Sequence, residues 1–372
     1  MHVKTKAAIL WQTGDPWSVE EIVLDPPQHK EVLVRIAAAG LCHSDDHVRV
    51  GDGFAALPTI GGHEGAGVIE EVGPGVDDLA VGDHVVFSFL PACGRCHWCS
   101  IGRQNLCDYG QFLMTGEMIS GGYRAHARGK DVGTLSLLGT FSEHTVVHES
   151  SIVKIDDDIP LDRACLLGCG VPTGWGSSVY IGAVAPGETV VVVGIGGIGA
   201  NALQGAQIAG AKNIVAVDPV PFKREQAKLF GATHTAASME EASGVVSELT
   251  RGVMADVAVC TIGIVEGSMI QPLMDLISKG GRAVLTGMAR NSQTEATLGL
   301  QLFSLFEKTL YGTVYGGCNP RSDIPRLAAL YQAGRLQLDE LITRTYSLDQ
   351  VNDGYADMLA GKNIRGIIVN GH

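Results

Sequence analysis

The chain has 372 residues, 45% of them hydrophobic, and carries 40 acidic against 27 basic residues for a net charge of −13. That length suits two domains, each with its own core. The acidic balance argues against nucleic acid or an anionic membrane surface as partner.

Met1 to Leu10 holds two lysines with no long apolar run behind them, so no signal peptide is read there. Ala164–Gly187 and Thr189–Ala211 lack charge, but glycine, proline or amide side chains interrupt both. A spanning helix needs ~20 mainly apolar residues, and neither stretch qualifies. The expectation is a soluble protein. Nine cysteines without a secretion signal do not read as a disulfide framework, and four of them bunch between Cys93 and Cys107. Metal binding in a reducing cytoplasm is the reading they favour.

The first 150 or so residues look mostly β. Ala7–Leu10, Val19–Leu24, Val32–Ala37, Gly67–Val72 and His84–Phe89 are short apolar or alternating runs, separated by clusters such as Asp25-Pro26-Pro27 and Gly73-Pro74-Gly75. They predict an irregular sheet or partial barrel. Gly40-Leu41-Cys42-His43-Ser44-Asp45-Asp46-His47 closes one strand and starts a helical turn, and Gly61-Gly62-His63-Glu64-Gly65 follows. Cys42 and His63, with Cys169 further on, offer three ligands of the kind a catalytic zinc uses, leaving a fourth position open. On spacing alone the trio is a weak signal, because the ligands are far apart in sequence, and buried thiols with a satisfied histidine are the favoured reading.

Cys93, Cys96, Cys99 and Cys107 are a stronger signal. Their C-x₂-C-x₂-C-x₇-C spacing lets four thiolates close a tetrahedron around one structural zinc. An iron–sulfur cluster or redox-active thiols are the competing readings. His97 reads as a surface residue rather than a fifth ligand. Residues 107–138 show little periodicity and are read as a long loop. Strand character returns at Phe141–Val147, and a helical Leu161–Leu167 leads to Cys169.

Thr189–Asp218 gives the clearest local reading. Thr189–Val193 is an apolar β-branched run of the kind buried on both faces. Gly194, Gly196 and Gly199 follow in G-x-G-x-x-G order, with Gly197 and Ile198 inside the turn. Ile198–Ala209 reads as a helix whose N-terminus faces a pyrophosphate, and Asn213–Val217 as a second strand. Asp218 ends that strand nineteen residues past Gly199, where a carboxylate binds the ribose hydroxyls and repels a 2′-phosphate. NAD is therefore favoured over NADP, with Lys223 and Arg224 weakening the preference slightly.

The alternation continues with helices at Phe222–Phe230, Met239–Thr250 and Met269–Ser278, and strands at Asp256–Cys260 and Arg282–Leu285. Phe303–Leu310 then leads into Tyr311–Tyr315, completing a doubly wound sheet of about six strands. Beyond it come amphipathic helices at Ile324–Ala333 and Asp349–Ala360 and a closing strand at Ile364–Val369. Cys165, Cys260 and Cys318 have no metal-like spacing and read as core residues.

These pieces together resemble the zinc-dependent medium-chain alcohol dehydrogenases over essentially the whole chain. The likeness rests on Gly40-x-Cys42-x-Ser44-Asp45, Gly62-His63-Glu64, the Cys93–Cys107 lobe, Gly168-Cys169-Gly170 with Thr173-Gly174, and Gly194–Gly199 with Asp218. It implies an α/β fold: a chaperonin-10-like, β-rich catalytic domain over 1–170, a Rossmann NAD-binding domain over 171–314, and a return to the first domain over 315–372.

The resemblance also implies two zinc ions per subunit, a catalytic one on Cys42, His63 and Cys169 and a structural one in the lobe. It implies hydride transfer between a primary alcohol or aldehyde and NAD(H), and a proton path from Ser44 through a ribose hydroxyl to His47. Asp45 matches a carboxylate orienting His63, and Glu64 a residue close behind the metal; a helix cap and a paired buried acid are their alternatives. Thr173 matches a nicotinamide contact, Lys223 an adenosine-ribose contact, Arg365 a pyrophosphate contact, and Phe89 a wall of an apolar substrate pocket. His43 stands where many relatives carry an arginine on the pyrophosphate, a weaker anchor.

A narrower likeness, carried by Gly139–Gly176, Asp218–Arg224 and Asn319–Arg365, is to the actinobacterial nicotinoprotein alcohol dehydrogenases. It implies NAD(H) that does not exchange, re-oxidised in place by a mycofactocin-like carrier, with nitrosodimethylaniline as artificial acceptor. Other readings are an ordinary dehydrogenase with exchangeable NAD, a mycothiol- or glutathione-dependent formaldehyde dehydrogenase, and a non-enzymatic zinc-binding relative. The family likeness further implies a cytoplasmic homo-oligomer meeting through the last strands of the nucleotide sheet.

Overall fold

The structure, a computed structural model, describes residues 2–371. The chain forms two compact units. One takes the residues up to Cys169 together with those from Asn319 onward, and the other takes Gly170–Cys318. The sequence reading placed the boundaries at 170/171 and 314/315.

The first unit opens with ten strands: β1 (Val3–Leu10), β2 (Ser18–Leu24), β3 (Glu31–Gly40), β4 (Thr59–Ile60), β5 (Gly65–Val72), β6 (His84–Phe87), β7 (Ala125–Ala127), β8 (Lys130–Thr134), β9 (His144–His148) and β10 (Ile152–Lys154). A closed barrel runs β1-β2-β7-β8-β4. Its interior takes Ala7, Ile9, Ile22, Leu24, Ile60 and Val132, alternate positions along their strands as the two-residue period of a strand requires.

The barrel corrects two expectations. The first domain closes fully at this point, and residues 107–138 are not simply a loop, because β7 and β8 are two of the barrel's strands. Those strands are three and five residues long, too short for an alternating pattern to stand out. A buried ion pair ties them down: Arg124 reaches Glu31 of β3 with Nε–Oε2 and Nη2–Oε1 distances of 2.8 Å each, and Ser120 hydrogen-bonds the same carboxylate.

The second unit carries β11 (Thr189–Val193), β12 (Asn213–Val217), β13 (His234–Ala236), β14 (Ala255–Cys260), β15 (Ile277–Leu285) and β16 (Thr309–Gly312). All pairings are parallel and the order is β13-β12-β11-β14-β15-β16. Counted within the unit this is 3-2-1-4-5-6, the order of a dinucleotide-binding sheet. All five residues of β11 are buried, as a strand covered on both faces must be. The helix expected over Met269–Ser278 is shorter, Ile270–Asp275, because β15 already begins at Ile277. A helix at Leu300–Leu305 and β16 stand where Phe303–Leu310 was read as leading into Tyr311–Tyr315. β13 was not anticipated, being three residues long.

Past Cys318 the chain rejoins the first unit through helices Pro320–Gln332 and Val351–Leu359 and strands β17 (Ile342–Tyr346) and β18 (Arg365–Val369). β18 pairs antiparallel with β3, Ile367 opposite Gly40, within the sheet β10-β6-β5-β3-β18-β17. This return brings the C-terminal segment to the site described next. No helix among the described residues is long and apolar enough to cross a membrane.

Candidate active site

Cys42 ends the turn after β3 and caps the helix His43–Val50, His63 and Glu64 sit just before β5, and Cys169 ends the N-terminal part of the first unit. One ligand atom from each of Cys42, His63, Glu64 and Cys169 lies within 4.8 Å of the other three, and all four residues are buried. Backbone crowding fixes the approach. A Cβ on Gly62, whose φ is +87°, would meet Phe141 and Thr140, and one on Gly168 would strike the carbonyl of Phe87.

The donor set fits zinc, with two sulfurs, one imidazole and a carboxylate nearby. The hydrogen bond between the two thiols pulls Cys42 well below the ordinary thiol range and pushes Cys169 well above it, so one proton serves both. A cation would displace that proton and take two thiolates. His63 Nδ1 donates to Asp45 Oδ1 at 2.8 Å, which leaves Nε2 as the ligand atom. Burial disfavours the imidazolium, but Asp45 and the Cys42 thiolate outweigh it and hold His63 well above its usual value.

Glu64 is pushed up to about 7 by burial, against the attraction of Arg365 and with the Cys42 thiolate adding to the rise. Arg365 Nη2 pairs with Glu64 Oε2, while Glu64 Oε1 and Arg365 Nε are buried with no hydrogen-bond partner. Asp45 bonds His63 and makes no cap on the helix His43–Val50, and Glu64 lies in the cluster while also being half of a buried pair.

Ser44 Oγ stands 3.7 Å from Cys42 Sγ. His47 is buried in the same helix, its Nδ1 4.0 Å from Asp52 Oδ2. His43 opens that helix exposed to solvent. Phe89 meets His63 edge to face, ring centroids 5.6 Å apart. Tyr355 of the helix Val351–Leu359 places its hydroxyl 3.1 Å from Asp45 Oδ2. The sequence reading missed this residue, since nothing in an amphipathic helix distinguishes a core tyrosine from one bonded to a carboxylate.

The lobe's four sulfurs form a separate cluster. Cys93–Cys99 and Cys96–Cys107 Sγ distances are both 3.9 Å. Zn–S bonds of about 2.3 Å in a tetrahedron separate sulfurs by about 3.8 Å, so the lobe fits one zinc. Backbone N–H groups of Asp108 and Cys99 overcome burial and bring Cys96 down to about 7. His97 is exposed against Trp98 and stands outside the cluster.

In the second unit Gly194 has φ +92°, a Cβ on Gly199 would strike the carbonyl of Gly194, and one on Gly196 would meet nothing within 4 Å. The turn, the helix–strand packing and the open approach divide among the three glycines as a phosphate-binding turn requires. Gly196 caps the helix Gly197–Ile208, whose first residues include Ile198. Asp218 Oδ2 accepts from Ile195 N–H at 2.8 Å and Oδ1 from Val220 N–H at 2.9 Å, with Lys223 Nζ 4.0 Å away. Thr173 is buried in the helix Gly170–Gly176, its carbonyl accepting from Ser177 Oγ.

Two families match this chain: "Alcohol dehydrogenase GroES-like domain" over residues 28–157 and "Zinc-binding dehydrogenase" over residues 197–333. An NDMA-dependent alcohol dehydrogenase of Amycolatopsis methanolica is 52% identical over 99% of both chains. Alcohol dehydrogenase B of Mycobacterium tuberculosis is 49% identical over 98% of both. Among solved structures, benzyl alcohol dehydrogenase from Acinetobacter calcoaceticus superposes with a TM-score of 0.92 at 30% identity, covering 99% of this chain and all of that one. An alcohol dehydrogenase zinc-binding domain protein from Burkholderia ambifaria reaches 0.94 at 33%, covering all of both.

Proposed function

The chain belongs to the zinc-dependent medium-chain alcohol dehydrogenases, and on that premise we propose that it works as a nicotinoprotein. It oxidises a primary alcohol with an NAD that stays bound between turnovers and is re-oxidised in place by an external, mycofactocin-like carrier. Alcohol oxidoreductase activity comes with the family. Retention of the cofactor is supported by the relative at 52% identity whose name makes it NDMA-dependent.

The observation that carries the chemistry is the buried Cys42, His63, Glu64 and Cys169 cluster with Asp45 behind it. Cys42, His63 and Cys169 would hold the catalytic zinc, and Cys93, Cys96, Cys99 and Cys107 a second, structural one. Zinc supplies Lewis acidity toward the substrate hydroxyl and NAD supplies the hydride acceptor. Asp45 keeps the His63 ring in one tautomer and orientation. Ser44 Oγ would accept the substrate's proton while passing its own onward, and the imidazole of His47, buried in the same helix, would hand a proton to solvent. Phe89 forms an apolar wall of the substrate pocket.

Gly194, Gly196, Gly197, Ile198 and Gly199 cradle the pyrophosphate, Asp218 and Lys223 bind the adenosine ribose, and His43, Thr173 and Arg365 supply the remaining cofactor contacts. The enzyme is a cytoplasmic homo-oligomer, an assignment supported by nine free thiols and by the unpaired outer edge of β16. Exhaustive dialysis, denaturation and quantification of the released dinucleotide test the retained cofactor. About one per subunit is expected. A value near zero makes NAD a co-substrate and removes the carrier from the cycle.

A further inference from the structure

We propose that Tyr355 is a positioning residue of the zinc site, its hydroxyl holding the Asp45 carboxylate that orients His63. The inference rests on the assignment of Cys42, His63 and Cys169 as zinc ligands.

The helix Val351–Leu359 buries Val351, Gly354, Tyr355 and Met358, one face at helical spacing. Tyr355 is 3% exposed. Its ring stacks on Trp17 at 6.3 Å and meets Phe141 edge to face at 6.1 Å. A phenylalanine would fill that space equally well, so packing does not call for the hydroxyl.

The hydroxyl has one proton and two acceptors in reach, Asp45 Oδ2 at 3.1 Å and the Cys42 carbonyl at 3.4 Å. The carboxyl oxygen is the nearer acceptor, so the proton goes to Asp45. Asp45 is wholly buried, with Oδ1 already taken by His63 Nδ1–H at 2.8 Å. A carboxylate bonded at one oxygen is free to swing about that bond. Bonded at both, it fixes the plane in which the His63 ring must lie, and with it the direction of the Nε2 lone pair.

The donor is itself held still. Asn352, three positions earlier on the helix, accepts from Trp17 N–H at 3.0 Å and donates to the Trp17 carbonyl at 2.9 Å. The same C-terminal segment supplies Arg365 to Glu64. Both acids of the site therefore take a partner from residues more than 300 positions away, which gives the return of the chain to the first unit a chemical purpose.

The test uses full-length holoenzyme of wild type, Tyr355→Phe, Asp45→Asn and the double variant. Zinc per subunit is followed against time with a competing chelator, and the visible bands of cobalt placed at the catalytic site are recorded for each. Outer partners of metal ligands change metal affinity or activity by about 10–100-fold, and Tyr355, one bond further out, is expected at about the lower end. Tyr355→Phe should release the catalytic-site metal about tenfold faster and shift the cobalt bands, leave the lobe metal in place, and add little in the Asp45→Asn background. Unchanged release and unchanged bands, with only a lower melting temperature, would reduce Tyr355 to a packing residue. Cys42→Ser separates the two levels. If it keeps the full zinc content of wild type, the ligand assignment falls; if it loses one zinc while Tyr355→Phe matches wild type, only the positioning role falls.

Discussion

At the scale of single residues, the proposed preference for NAD rests on Asp218. Two backbone N–H groups bond its two oxygens, which holds the carboxylate in one orientation at the end of β12. A 2′-phosphate brought there meets like charge, a juxtaposition that costs several kcal/mol. Asp218→Asn retains an acceptor and removes the charge. After reconstitution with equimolar NAD and NADP, the NADP fraction recovered should rise at least about tenfold over wild type; no uptake of NADP would show that another group excludes it. Cys169→Ala addresses the other half of the reaction. It removes one of the three proposed catalytic zinc ligands and none of the lobe's, so turnover should vanish, zinc should fall by one per subunit, and the circular dichroism spectrum should stay unchanged. Retained turnover would mean that the chemistry lies elsewhere.

At the scale of elements, the barrel depends on two short strands held by charge. Arg124 and Glu31 are both buried, and removing one partner of such a pair leaves an uncompensated charge, worth about 3–5 kcal/mol. Arg124→Met should lower the free energy of unfolding in denaturant by about that amount, and a loss below about 1 kcal/mol would show that the pair is solvated. His126 of β7 bridges Asp25, after β2, and Asp131 of β8, at 2.9 Å each. Burial opposes its protonation, but the two aspartates prevail and raise its affinity for the proton. Since the folded form binds that proton more tightly, the stabilisation is complete below the unfolded value near ~6.5 and fades as pH rises through the folded one. His126→Gln should therefore lower the melting temperature at pH 6 and have little effect at pH 9. An equal loss at both values would mean that the ring acts only by packing.

For the whole molecule, β16 is an edge strand with Tyr311 exposed, preceded by a helix exposing Leu300, Leu302 and Leu305. An open apolar edge of this kind is a template for pairing with another chain. Sedimentation should give a multiple of the 39.1 kDa subunit, and the pair Leu302→Glu and Leu305→Glu should shift it toward the monomer. A wild-type monomer would contradict the assembly proposed above.

Much of this protein was legible in the order of its residues because the relevant contacts are local. The cofactor fingerprint spans Thr189–Asp218 and needs only one strand, one turn and one helix to act, so glycine positions and a terminal acid suffice to reveal it. The lobe places four thiols within fifteen residues, and such spacing closes on a metal almost whatever surrounds it. The three proposed catalytic ligands stood in the sequence as isolated residues, singled out through resemblance and not through spacing. Their convergence needed β3, the segment before β5 and the end of the first unit to be folded onto one another. The closing strands of the barrel and the hydroxyl of Tyr355 on Asp45, 310 residues away, were decided by tertiary structure alone. Local periodicity records which face of an element is buried, but carries no information about which distant polar atom that face will meet.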